Sequence, residues 1–164
     1  MRKTTALIVI GLLLILSNPA LAAGMFTNVE TSTSQSIQQH HEPGKWLVVM
    51  MWASDCHICN QEAPEYVEFH TKHKSMDAKI LGVSLDGAAN KEDAEDFIWR
   101  HSINFENLIG SPQEVTGYYS ELTGAAWVGT PTFLIFGPQG ELRAKQVGGV
   151  PTHLIEQFMA SNAE

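Results

Sequence analysis

Lys45 to Ala53 (K-W-L-V-V-M-M-W-A) is almost wholly apolar and shows no alternation of polar and apolar positions. Such a run suits a central strand covered on both faces, which requires helices on either side of a sheet. Four and seven residues past its last tryptophan stand the only two cysteines of the 164-residue chain, in Asp55-Cys56-His57-Ile58-Cys59, and a segment of helical composition follows. A C-x-x-C at a strand-to-helix junction puts the first sulfur over the helix N-terminus. Free backbone N–H groups and the helix dipole there favour thiolate over thiol. Cys56 is therefore the expected redox nucleophile and Cys59 its resolving partner.

The start of the chain reads as a targeting segment. Arg2 and Lys3 precede an apolar run from Ala6 to Leu16, and Ser17-Asn18-Pro19 breaks it before Ala20-Leu21-Ala22-Ala23, which offers an A-x-A cleavage pattern. The run is short of the about 20 residues a transmembrane helix needs. Residues 1–22 are thus expected to be a signal peptide, with an uncleaved N-terminal anchor as the alternative. Residues 23–164 form one domain in this reading. Cleavage after Ala22 leaves 142 of the 164 residues and removes two cations, taking the formal net charge from −8 to −10. So acidic a chain argues against nucleic acid and anionic membrane surfaces as partners. Export also raises the alternative of a purely structural disulfide. A bridge across two residues removes little entropy from the unfolded chain, and a domain of this size has core enough without it.

Further elements follow in order. Met25 to Val29 suggests a short strand, and Ser34 a cap for a helix over Gln35 to His41. After the motif a helix is expected from His57 to about Lys74, kinked by Pro64, with Tyr66, Val67, Phe69 and His70 inward and Glu65, Glu68, Lys72 and Lys74 solvated. Lys79 to Leu85 reads as a second buried strand. A helix capped by Asn90 follows over Lys91 to His101, with Ala94, Phe97 and Ile98 inward. Phe105 to Ile109 suggests a short strand, and Pro112 opens a helix to about Tyr119. Thr130 to Phe136 begins a third buried strand with proline, and Gly137-Pro138-Gln139-Gly140 turns it into Glu141 to Val147. A closing helix from Pro151 to Ala160 buries Leu154, Ile155 and Phe158. The pattern is an α/β sandwich.

These residues resemble the thioredoxin fold, and within it the TlpA-like thiol–disulfide oxidoreductases of the bacterial cell envelope. The resemblance rests on W-A-S-x-C-x-x-C from Trp52, on Glu62 and Pro64 after Cys59, on I-L-G-V-S-L-D and the helix behind it, and on Gly129-Thr130-Pro131-Thr132-Phe133-Leu134-Ile135-Phe136. It implies a central mixed β-sheet flanked by helices on both faces, with a TlpA-like helical insertion. It also implies a cis Thr130–Pro131 bond that exposes the Thr130 backbone to an extended substrate, with Trp52, Thr130 and Pro131 as the substrate-binding residues. Three positions depart from the family. Asp55 replaces the usual tryptophan before the first cysteine, and His57-Ile58 fills a dipeptide that sets redox poise. Asp55 opposes a Cys56 thiolate and protonated His57 favours it. Glu62 takes the proton-transfer role, since Met50 stands where thioredoxin has a buried aspartate.

Metal chemistry fits poorly. C-x2-C-x10-H-x2-H over Cys56, Cys59, His70 and His73 misses the usual zinc intervals. No metal and no organic cofactor is expected. The functional expectation is an exported, monomeric, periplasmic protein-disulfide reductase acting on apocytochrome c or copper-site cysteines, fed by a membrane or periplasmic redox partner. A Dsb-type oxidase or isomerase and a non-enzymatic binding module are the alternatives.

Overall fold

The computed structural model describes residues 25–163, so the signal segment read over 1–22 lies outside the described residues. Seven strands make one mixed sheet: β1 Met25–Asn28, β2 Ser34–Ser36, β3 Trp46–Trp52, β4 Ala78–Ser84, β5 Asn107–Ile109, β6 Thr132–Phe136 and β7 Leu142–Val147. Their spatial order is β2-β1-β5-β4-β3-β6-β7. The helices are α1 His57–His73, α2 Lys91–Arg100, α3 Pro112–Thr123 and α4 Thr152–Ser161.

β3 lies at the heart of this sheet, parallel to β4 and antiparallel to β6, and all seven of its residues are buried. Side chains alternate across a strand. Trp46, Val48, Met50 and Trp52 accordingly join one core with α1, α2 and α4, whereas Leu47, Val49 and Met51 join another with Val115, Tyr118 and Tyr119 of α3. Cover on both faces removes any need for polar residues in the strand. β5, reached through the inserted α2, runs parallel to β4 and antiparallel to β1.

Several local expectations are corrected. Ser34–Ser36 is a strand paired to β1, because the β1 edge takes up its backbone. Only a 3₁₀ turn over Ile37–His40 follows, opened by the Ser36 N–H donating to Gln39 Oε1 at 2.7 Å. Asn90 precedes α2 without capping it, and donates instead to the Asp86 carbonyl. α3 runs on to Thr123, where Gly124 ends it at φ 65. β6 starts at Thr132, with Pro131 just outside it. In α4 the buried residues are Ile155 and Met159, while Leu154 is 48 % exposed. Val67, Ile98 and Phe158 are half-buried and pack against the core as expected. Glu65 is not a solvated acid: its carboxylate accepts from the Thr152 N–H at 2.6 Å and from Thr152 Oγ1 at 2.8 Å, fastening α4 to α1.

His70 is buried, and its Nδ1 accepts the Ile80 N–H at 3.1 Å. Burial first, then the Lys74 and Lys79 charges, hold its pKa down at about 4 against an ordinary 6.5, with Glu106 acting the other way. An unfolded chain protonates this ring near 6.5 and the native chain only near 4. Between those values the unfolded state binds more protons, so stability falls as pH drops, by roughly 3 kcal/mol in all. Urea midpoints between pH 7 and 4 will show this decline. His70→Leu will be less stable at pH 7 yet will lose this part of the slope; an unaltered slope would remove His70 as its source.

Candidate active site

The site is built where β3 hands over to α1. Residues 53–55 make the turn, and Cys56 caps the helix. Ser54 anchors the turn, since its N–H and Oγ both donate to the Asp86 carboxylate, at 2.8 Å for Oγ. Ser84 Oγ at the end of β4 donates to the same carboxylate at 2.7 Å. From the other side, Asn60 Nδ2 donates to the carbonyls of Ser54 and Cys56. Neither Asp86 nor Asn60 carries a sequence signal that marks it as a site residue.

Cys56 and Cys59 form a disulfide with their Cα atoms 5.2 Å apart. Cys59 is fully buried and Cys56 half-buried, so an incoming group can reach only the Cys56 sulfur. That sulfur accepts the Cys59 N–H at 3.1 Å. It therefore already holds one of the helix-terminal donors that would stabilise a thiolate. Asp55, His57 and Ile58 rim it, all exposed.

Trp52 needs correcting. It is 1 % exposed, donates Nε1–H to Asn107 Oδ1 at 3.1 Å, and stacks on Phe97 with ring centroids 4.2 Å apart. It offers no surface to a substrate and acts as packing beneath the motif. Even spacing along β3 from Trp46 already puts it on the α1/α2 face.

Met51 pairs with Thr132, which brings Thr130 and Pro131 to the sheet end that carries Cys56. The Thr130–Pro131 bond is cis. Pro131 is buried, Thr130 half-buried, and the Pro131 carbonyl accepts the Gly148 N–H at 2.8 Å.

Glu62 lies three residues past Cys59, on the neighbouring turn of the same helix face. Its side chain packs against Gly149, where a Cβ would come within contact of Oε1, and Oε2 is buried with no hydrogen-bond partner. Burial, reinforced by Glu65, raises its pKa above the ordinary 4.5 against a hydrogen bond from the Val150 backbone. Tyr66, one turn on, donates its hydroxyl to the Val150 carbonyl at 2.6 Å. A half-buried carboxyl with an unengaged oxygen is suited to carrying a proton. Among the described residues no group of three or more His, Cys, Asp or Glu is arranged to hold a metal. His73, the other histidine of the zinc-like spacing, is engaged by Asp77 and Glu156 at 2.7 and 2.9 Å.

One reachable sulfur, a buried partner and a helix N-terminus beneath them, set on this sheet, define a thiol–disulfide oxidoreductase with a thioredoxin-like fold. The chain belongs to the AhpC/TSA family, whose model matches residues 22–145. It is 23 % identical over 133 residues to the thiol-disulfide oxidoreductase ResA of Halalkalibacterium halodurans, covering 80 % of this chain and 70 % of that one. Alkyl hydroperoxide reductase C of Mycobacterium tuberculosis is 31 % identical over 94 residues, 57 % of this chain and 45 % of its own length. Among solved structures, StoA from Bacillus subtilis superposes with a TM-score of 0.62 at 21 % identity, over 82 % of this chain and 93 % of that one. A thiol:disulfide interchange protein from Chlorobium tepidum does so with 0.69 at 17 %, over 85 % and 93 %. Both share the fold.

Proposed function

We propose that the protein is an exported reductase of protein disulfides in the bacterial periplasm. The observation that carries the reading is the asymmetry of the pair, with Cys56 reachable at the helix head and Cys59 fully buried behind it. In the forward direction the Cys56 thiolate attacks a substrate disulfide. One substrate sulfur leaves as thiolate, and the other forms a mixed disulfide with Cys56. The Cys59 thiolate then attacks the Cys56 sulfur, releases the second substrate thiol and leaves the Cys56–Cys59 disulfide. Glu62 takes the Cys59 proton as that attack begins. Two electrons from a periplasmic or membrane partner restore the dithiol. An extended substrate pairs with the Thr130 backbone beside Pro131 as an added strand. Asp55 and His57 act on Cys56 with opposite sign. Apocytochrome c or copper-site cysteines are the proposed substrates, and the N-terminal segment directs export or anchors the chain.

Reduced protein is expected to cleave insulin disulfides with dithiothreitol as donor, and to equilibrate with glutathione buffers at a potential near about −270 mV. A potential near about −120 mV would reverse the direction and make it a Dsb-type oxidant. Absence of insulin cleavage together with no selective alkylation of Cys56 would leave only a binding module with a structural disulfide.

A further inference from the structure

Asn60, the residue after Cys59, uses both ends of its side-chain amide. Nδ2 donates to the Ser54 carbonyl at 3.0 Å and to the Cys56 carbonyl at 2.9 Å. Oδ1 accepts from His101 Nε2 at 2.9 Å and from Arg100 Nη1 at 3.2 Å. Its orientation is set by these partners, because carbonyls only accept and a guanidinium only donates. A flipped amide would oppose oxygen to two carbonyl oxygens. The same pattern places a proton on His101 Nε2. Arg100 is the last residue of α2 and His101 caps it. Phe97, one turn earlier, holds Trp52 by stacking, and its ring lies 4.7 Å from that of His101. The inserted helix thus reaches the turn before Cys56 through a single amide.

This matters to the sulfur. The Ser54 and Cys56 carbonyls converge on one amide group beside the nucleophile, and their partial negative charges disfavour a thiolate there. The Asn60 NH₂ lies between them and offsets that potential. Arg100 and the His101 N–H pull on Oδ1 and polarise the amide in the direction that strengthens both of its donated bonds.

We propose that Asn60 is a positioning residue of the redox site, holding the Ser54–Cys56 turn and, backed by Arg100 and His101, favouring the Cys56 thiolate. The inference rests on the reading of Cys56 as the nucleophile. Burial and then Arg100 hold His101 below its ordinary 6.5, so near neutral pH it donates as a neutral ring and Arg100 supplies the charge. The other charged or titratable groups around this turn are Asp55 and His57 beside Cys56, Glu62 further along α1, Asp86 behind Ser54, and Asp96, paired with Arg100 at 2.8 Å.

The test is the pH dependence of Cys56 alkylation by iodoacetamide in the reduced full chain. Asn60→Leu is expected to raise the alkylation midpoint by about one pH unit, which makes reaction below both midpoints about tenfold slower. Arg100→Gln moves it the same way by less, because Arg100 is exposed, and Arg100→Lys restores part of the shift. His101→Gln, whose amide can still donate to Asn60, stays near the parent, whereas His101→Leu does not. Unmoved midpoints in Asn60→Leu and Arg100→Gln, with only a lower melting temperature in the former, overturn the proposal. Should Asn60→Leu not fold, the Arg100 and His101 pairs decide by the same criterion. A parent protein in which Cys56 resists alkylation overturns the reading of Cys56 itself, which the variants cannot mimic.

Discussion

Cys59→Ala is expected to convert the protein from a turning-over reductase into a trap. Attack by Cys56 needs only the thiolate at the helix head, and the variant keeps that. Resolution needs a second sulfur, and among the described residues Cys59 alone supplies it. The mixed disulfide on Cys56 should therefore accumulate and stay sensitive to added thiol, while insulin turnover falls by roughly a thousandfold or more. Alanine is preferable to serine here. Cys59 is fully buried in the same core as Ala63, Tyr66 and Phe133, where an unpaired hydroxyl costs about 1–3 kcal/mol. Cys56→Ser should form no mixed disulfide at all, and this separates nucleophile from resolver. Glu62→Gln in the same assay should leave attack unaltered and slow release. Non-reducing electrophoresis reads all three; free turnover by Cys59→Ala would sink the two-step scheme.

What the sequence discloses here follows from where each constraint originates. β3 is legible because burial on both faces leaves an unbroken apolar run, and the sulfur pair is legible because its spacing and junction are local. Thr130-Pro131 was found through a motif about 70 residues away, and it comes to the same sheet end through the Met51–Thr132 pairing. The misses are tertiary. Glu65 looks like a solvated helix acid until Thr152 arrives from 87 residues on. Ser34–Ser36 carries no strand signal of its own and is a strand only because the β1 edge is there to pair with it. Arg100 and His101 carry no signal in the sequence beyond their place at the end of α2, and only packing of α2 against the motif turns them toward Asn60. The burial of Trp52 follows from β3 itself, since a strand covered on both faces buries its last residue with the rest.

The support beneath the motif predicts the largest loss of stability. Gly82 sits in the middle of β4, where glycine weakens a strand and often marks a close approach. A Cβ there would collide with Asn107 Oδ1 and stand 2.9 Å from Trp52 Nε1. Asn107 has little room to give. It is buried, its Oδ1 holds the Trp52 indole N–H, and its Nδ2 donates to the Phe105 carbonyl at 2.9 Å. Gly82→Ala must either displace Asn107, leaving a buried indole donor unpaired at about 1–3 kcal/mol, or push β4 from β5 at a similar overpacking cost. A loss of about 1–3 kcal/mol, or roughly 3 to 12 °C in Tm, is expected, together with a change in tryptophan emission. In an Asn107→Ala background, which opens the space and has already freed the indole, the same substitution should cost below about 1 kcal/mol. Equal costs in the two backgrounds would mean that Gly82 is required for β4 itself, and not for the bond that seats Trp52 beneath Cys56.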